Sequence, residues 1–302
     1  MDRILVVGSL NIDLVTQVAY LPKPGETITS TAFTRNPGGK GANQASIIGK
    51  LTGRVGLIGK VGDDDYGELL LNTLRNAHVD TTGIKVETEE NTGMAFINVS
   101  NDGENSIVLV PGANNRLYPT DIDAEEEIFR ESDIVLLQME IPFATVVHVI
   151  ERARELEKKV ILNPAPAMHL DKKLLRKIDI LISNESELAI LSGLPAGTEE
   201  EIRKAAHSLL KRGVKSLVLT RGKRGSFYFS EDREQHVPSV PAEVVDTTGA
   251  GDSYIGAFAY GLSKGHDEIS SMEAASRVAS ITVSQKGARP ELGEDFVFDS
   301  DL

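Results

Sequence analysis

Residues Val245-Asp246-Thr247-Thr248-Gly249-Ala250-Gly251-Asp252 set a glycine-rich turn directly ahead of an apolar helical segment. The first N–H groups of a helix lack internal partners, and the helix dipole adds partial positive charge there. Glycines without a Cβ let an anion come close to the backbone, so the turn suits a phosphate. A carboxylate at Asp252 would repel that phosphate. Its presence makes sense where it takes a proton from a hydroxyl attacking phosphorus. As an isolated turn, the same residues read equally well as a tight connection with Asp252 stabilising the first helical turn. The stretch is expected to leave the end of a strand.

Two further polar groups carry chemistry. In Gly8-Ser9-Leu10-Asn11-Ile12-Asp13, Asn11 and Asp13 stand two apart at a strand end. In an extended segment they point to one side, as a site for neighbouring sugar hydroxyls requires; an Asx-type turn is the alternative. The same stretch lacks the G-x-G-x-x-G of a dinucleotide site. Asn36-Pro37-Gly38-Gly39-Lys40-Gly41-Ala42-Asn43-Gln44 places glycines ahead of a helix running through Leu51. It is not a P-loop, because Gly41 follows the lysine, but Lys40 and Asn43 near the helix start reach whatever the backbone approaches. No G-x-S-x-G occurs, and the six histidines show neither H-x-x-x-H nor H-E-x-x-H spacing, which argues against serine and zinc hydrolases.

These residues need a scaffold, and 302 residues with 40% hydrophobic content supply one large α/β domain. The net charge of −13 argues against nucleic acid and anionic membrane as partners. With no cysteine, disulfides, thiol catalysis and thiolate metal sites are excluded, which suits a cytoplasmic protein. The first apolar run, Ile4 to Val7, is too short for a signal peptide or a membrane span.

Strand signals fall at residues 3–7, 55–60, 134–139, 160–162, 180–182 and 216–219, alternating from residue 114 onward with helical segments at 143–156, 185–192 and 198–212. The fold class is therefore α/β: a doubly wound, mostly parallel sheet flanked by helices. Short strands at 15–20 and 27–33, and a hairpin formed by 93–100 and 106–110 around Asn101-Asp102-Gly103-Glu104, do not fit the alternation. They are assigned to a small β lid made of residues 12–35 and 91–113, leaving 1–11, 36–90 and 114–302 to the core. Ligands in such sheets bind at the carboxyl ends of the strands. Asn11, Asp13, Glu140, Asn163, Asn184, Thr220 and Asp252 are expected to converge there. The acidic run Asp63 to Asp65 reads as a helix cap.

Taken together the motifs resemble the ribokinase family, the phosphofructokinase-B type of carbohydrate kinase. The resemblance runs from Val6 to about Arg289. Besides the three stretches above, it is carried by Pro22 to Thr27, Pro111 to Asn114, Gln138-Met139-Glu140, Asn163 to Ala167, Asn184-Glu185-Ser186-Glu187 and Thr220 to Gly225. The 246–252 stretch marks the wider superfamily, while 38–44 and 138–140 point to the ribokinase branch.

The resemblance implies an ATP-dependent sugar kinase acting on the 5-hydroxyl of D-ribose. A kinase of the same family for deoxyribose, another sugar or a nucleoside is the neighbouring reading, and a non-catalytic sensor the remote one. Asn11, Asp13, Gly39, Lys40, Asn43 and Glu140 would hold the sugar, Asp252 would be the base, and the amides of Gly249, Ala250 and Gly251 would form the anion hole. Asn184 and Glu187 would order Mg²⁺ and phosphate through water; Thr220, Arg221, Gly222 and Gly225 would pass beneath the nucleotide, and Ser276 would lie near the adenine. A K⁺ loop would map to Asp246, Thr248, Thr282, Gln285, Gly287 and Glu291. Two departures stand out: Glu291 replaces the serine common in the family, and Ser276 a larger Asn or His. Lid pairing in such kinases implies a homodimer, with Ile97, Val99, Val108 and Val110 as the face needing cover.

Overall fold

The computed structural model describes residues 1–293 together with Phe296 and Phe298; the end of the expected core, up to residue 302, lies outside them. In chain order, β1 (Arg3–Val7) leads into β2 (Asn11–Val18) and β3 (Ala32–Gly38), then α1 (Lys40–Lys50), β4 (Arg54–Gly62), α2 (Asp65–Asn76) and β5 (Ile84–Glu87). The hairpin β6 (Gly93–Ser100) and β7 (Asn105–Val110) follows. Next come α3 (Pro119–Asp123), α4 (Glu126–Glu131), β8 (Ile134–Leu137), α5 (Phe143–Glu155), β9 (Lys159–Leu162), α6 (Lys172–Leu175), β10 (Ile180–Asn184), α7 (Glu185–Ser192) and α8 (Glu199–Arg212). The chain closes with β11 (Ser216–Thr220), β12 (Ser226–Ser230), β13 (Glu234–Val237), α9 (Ala250–Ser263) and α10 (Glu268–Val283).

Among the described residues these strands form two sheets. The large one has nine strands in the order β13-β12-β11-β10-β9-β8-β1-β4-β5. From β11 to β5 all pairs are parallel, and β12 runs antiparallel to both its neighbours. Its inner strands are buried on both faces, so most of them read as continuous apolar runs, while the edge strands β5 and β13 are partly exposed. Their alternating side chains divide the core in two. Ile4, Val6, Ile134, Leu136, Ile180, Ile182 and Val218 pack with α1, α2, α9 and α10. Leu5, Val7, Val135, Leu137, Leu181, Leu217 and Leu219 pack with α3 to α8. The β1 order reverses relative to β8 and β4, so β1 sits at the switch point, where ligands bind in open α/β sheets.

Four strands in the order β3-β2-β6-β7 form the second sheet, with β2 and β6 parallel and the other pairs antiparallel. Its strands lie elsewhere than expected: β2 spans Asn11–Val18 and β3 Ala32–Gly38, so residues 27–30 carry no strand. The local alternation was legible, but the true limits are set by pairing, because Asn11 opposes Gly38 and Asp13 opposes Asn36. Asn11 and Asp13 therefore open a strand of the small sheet rather than end one of the large sheet. The hairpin matches its expected place, yet Ile97 faces Ile107 and Phe96 faces Val108 across it. Ile97 and Val99 thus lie on one face, Val108 and Val110 on the other. Residues 238–249, expected to leave a strand end, contain no strand. They are tethered by the Val245 and Asp246 N–H groups, both donating to the Val283 carbonyl.

Candidate active site

Asp252 lies in the first turn of α9 with 8% of its surface exposed. A buried carboxylate needs donors, and two amides of α1 supply them. Asn43 Nδ2 donates to Oδ2 and Gln44 Nε2 to Oδ1, both at 3.0 Å. The ends of β8 and β9 complete the set. Gln138 Nε2 donates to Gln44 Oε1 at 2.6 Å, and Asn163 Nδ2 anchors on the Ile182 carbonyl at 3.1 Å. Gln44 Nε2 also donates to Asn163 Oδ1 at 3.4 Å, so the network around this carboxylate runs from α9 through α1 to the ends of β8 and β9.

The glycine turn ahead of Asp252 differs from residue to residue. Gly249 caps α9 in the left-handed region, at φ 73°, and its Cα faces Ala288 so closely that a Cβ has no room. Gly251 is the opposite case: a Cβ there would meet no atom within 4 Å, and the residue lines the cleft. That empty space above the helix N-terminus is what an anion cradle requires. The Ala250 N–H leans on the Thr247 carbonyl at 3.3 Å, so it is the most committed of the three amides.

The cleft is lined by Lys40, Asn163, Asn184, Glu187, Thr220, Gly249, Gly251 and Asp252, among others. The charge of Asp252 raises the Lys40 ammonium above its ordinary value, with burial opposing and Glu140 and Glu187 assisting. Burial raises the Glu187 carboxyl. Asn184 and Glu187 form a reciprocal capping box on α7, Asn184 Oδ1 accepting from the Glu187 N–H at 2.9 Å and Glu187 Oε2 from the Asn184 N–H at 3.0 Å.

On the other side of Asp252, where the two sheets meet, lie the remaining polar residues. Asn114 Nδ2 donates to Asn11 Oδ1 at 2.8 Å, while Asn114 Oδ1 accepts from the Leu10 N–H. Glu140 Oε2 accepts from Ser9 Oγ at 2.5 Å and from the Lys40 N–H at 3.3 Å. Asp13 lies over Gly38, whose missing Cβ gives its carboxylate room. Burial, then Glu140, pushes the Asp13 carboxyl up to about 6, against the pull of Arg289 and Lys40.

Several expected residues turn away from the cleft. The Arg221 guanidinium pairs with Glu185 and Glu199 and lies over Phe227, leaving only its backbone for the 221–225 turn, where Gly222 and Gly225 sit at positive φ. Ser276 Oγ is buried and donates to the Met272 carbonyl. Of the proposed K⁺ ligands, Thr282 Oγ1 donates to the Val278 carbonyl, and the Gln285 amide pairs with the Glu291 backbone in both directions. The Glu291 carboxylate reaches Lys50 Nζ at 2.7 Å instead. Asp246 accepts from the Thr248 and Gly287 N–H groups, each at 2.9 Å. Burial acts to raise its carboxyl, but these donors outweigh it and hold it below the usual range.

A carbohydrate-kinase family model, described as pfkB family carbohydrate kinase, matches residues 1–294. The chain belongs to the pfkB family. Among curated pfkB relatives, the ribokinase of Bacillus subtilis is 40% identical over 290 residues, covering 96% of this chain and 95% of its own. A deoxyribokinase of Salmonella typhi is 38% identical over 287 residues, covering 95% and 94%. Among solved structures, Arabidopsis thaliana ribokinase complexed with ribose and ATP superposes with a TM-score of 0.89 at 36% identity, covering 95% of this chain and 94% of that one. As a pfkB kinase the chain is a sugar phosphotransferase.

Asp252 and its turn were legible in the motifs, and Asn43 as a sugar ligand, but not that Asn43 and Gln44 hold the Asp252 carboxylate. Gln44, Gln138 and Asn114 stood inside recognised motifs, and their amide chemistry was the available signal. Arg289, whose Nε donates to Asn43 Oδ1, carried no signal at all.

Proposed function

We propose that the chain phosphorylates the 5-hydroxyl of D-ribose with ATP, giving ribose 5-phosphate and ADP. The observation that carries this is the Asp252 carboxylate, held by Asn43 and Gln44 at the boundary between a polar pocket and an open helix N-terminus. The plant ribokinase solved with ribose and ATP supports the choice of both substrates. Asp252 takes the proton of the attacking hydroxyl. The N–H groups at the start of α9 and the Lys40 ammonium face the charge that develops on the transferring phosphoryl group. Such preorganised donors lower the barrier because they need no rearrangement as the charge forms.

The sugar end favours a vicinal diol. Asn114 occupies Asn11 Oδ1 and leaves Nδ2 as a donor, while Asp13, two residues along on the same face, is an acceptor. One donor beside one acceptor matches two adjacent hydroxyls. Deoxyribose, which lacks one of them, leaves a buried polar group unpaired. ADP release with a panel of ribose, deoxyribose, fructose, adenosine and pseudouridine tests the reading: release is expected highest with ribose and absent in Asp252→Asn. A preference for another sugar moves the substrate and keeps the mechanism, whereas no release with any sugar ends the kinase reading.

Two ions belong to this proposal. For Mg²⁺, Asn184 and Glu187 line the phosphate side of the cleft and would hold the ion through water, their capping box using Asn184 Oδ1 and Glu187 Oε2. The ion would neutralise phosphate charge. For K⁺, the side chains of Thr282, Gln285 and Glu291 are committed elsewhere, so backbone carbonyls of the 246–248 and 285–287 segments remain, a hard-oxygen set suited to such an ion. It would order the anion turn without touching substrate.

We also propose a homodimer through the small sheet. β7 is an edge strand with every residue exposed; Ile107 and Val108 are exposed at 56% and 61%. Exposed apolar edges invite pairing. Sedimentation of the wild type as a dimer and of Ile107→Glu as a monomer is expected; a monomeric wild type overturns it. A cytoplasmic location is in keeping with a chain that lacks cysteine and, among the described residues, has no helix long and apolar enough to cross a membrane.

A further inference from the structure

Arg289 lies beyond the last helix, yet its side chain reaches back into the acceptor site. Nε donates to Asn43 Oδ1 at 3.0 Å and Nη2 to the Gly38 carbonyl at 3.1 Å. Nη1 is buried with no hydrogen-bond partner among the described residues. Both partners belong to the pocket: Asn43 holds the base, and Gly38 lies under Asp13. Burial pulls the guanidinium down to about 10, and Asp13 and Asp252 act to raise it.

The loop that carries Arg289 is itself tied down. The Gly287 N–H donates to Asp246 Oδ2, Ala288 packs on Gly249, and Lys50 Nζ donates to the Pro290 carbonyl at 2.8 Å. Glu291 closes it through Gln285. One short loop therefore touches the phosphate turn at one end and the sugar floor at the other.

We propose that Arg289 is a positioning residue for the acceptor: it clamps the far side of the Asn43 carboxamide so that Nδ2 stays on Asp252, and it balances the buried pair Asp13 and Asp252. Without it the amide is held from one side only, and two acids share a pocket with Lys40 as the facing cation. The inference rests on the sugar-kinase reading of the site.

The test compares Arg289→Gln and Arg289→Lys in steady-state kinetics across pH, and repeats Arg289→Gln in an Asn43→Ala background. Arg289→Gln is expected to lower kcat/KM for the sugar roughly tenfold or more, as small misplacements of reacting groups do, with the KM for ATP unchanged. Its acid limb moves to higher pH, because Asp13 then faces burial, Glu140 and Asp252 with only Lys40 opposing. Arg289→Lys keeps the charge, so its acid limb stays in place while kcat still falls. In the Asn43→Ala background the Arg289→Gln change costs much less than in the wild type. Sugar kinetics and an acid limb like the wild type's in Arg289→Gln, or full additivity with Asn43→Ala, overturn the proposal. A wild type that turns over no sugar refutes the kinase reading instead. NMR titration of the Asp13 carboxyl then still decides the role of Arg289: a midpoint that fails to rise in Arg289→Gln, or that rises as far in Arg289→Lys, sinks it.

Discussion

Asn43 Nδ2 lies 3.0 Å from Asp252 Oδ2, joining the start of α1 to the start of α9 across 209 positions of sequence. The bond holds the carboxylate on the line between the glycine turn and the sugar pocket. Two helix N-termini thus meet at one acid; at the start of α1 the Lys40 and Ala42 N–H groups are already taken by Glu140 Oε2 and the Ser9 carbonyl, so it is the start of α9 that opens on the cleft.

The first expectation concerns that acid. Asp252→Asn keeps the shape and removes the base. kcat is expected to fall by roughly 10²–10⁴ with sugar binding retained, as measured by turnover and calorimetry. Near-normal turnover in the variant would remove Asp252 from the mechanism.

Gly251 and Gly249 separate chemistry from folding. Gly251→Ala adds a methyl to open space in the first turn of a helix, where the gain is about 0.4–1 kcal/mol. The melting temperature is expected to hold or rise while turnover drops and the KM for ATP increases. Gly249→Ala meets Ala288 and a positive φ together, so it is expected to lose both stability and activity. Equal activity for Gly251→Ala and the wild type would show that the cleft above α9 takes no phosphate.

Asp13 sets a pH dependence in two observables. Its folded-state value of about 6 lies above the ordinary 3.8, so the neutral carboxyl is the form the fold favours. Stability from this group is therefore full at low pH and lost as pH rises through about 6. Asp13→Asn is expected to raise the melting temperature of the free protein at pH 7.5 and to leave it unchanged below pH 4. Sugar binding runs the other way, since the ionised form is the better acceptor: KM for ribose rises as pH falls below about 6. A flat KM between pH 5 and 8 contradicts the assignment.

Glu291 stands where the resemblance to the family leads serine to be expected. Its carboxylate is exposed and sits on Lys50, an ion pair of the kind worth about 0–1 kcal/mol. Glu291→Ser is expected to leave the response of activity to K⁺ unaltered and stability nearly so. A changed K⁺ midpoint in that variant shows that the carboxylate acts on the ion after all.

Local sequence settled much of this molecule. Apolar runs of four to five residues between amphipathic helices already specified a parallel sheet covered on both faces, because only such strands are apolar on both sides. The turn Gly249-Ala250-Gly251 and its acid were legible because backbone access and charge are properties of single residues. What sequence leaves open are distances between segments. That Gln44 and Asn43 converge on Asp252, that Glu291 prefers Lys50 and that Ser276 turns into its own helix follow from packing, not from residue type. The strand limits at Asn11 and Gly38 were decided by register between partners, which no local periodicity encodes. Arg289 shows the division most clearly. Its sequence neighbourhood is an ordinary helix end, and only the tertiary fold, by tying the 287–291 loop to the phosphate turn, brings its guanidinium within 3.0 Å of the residue that holds the base.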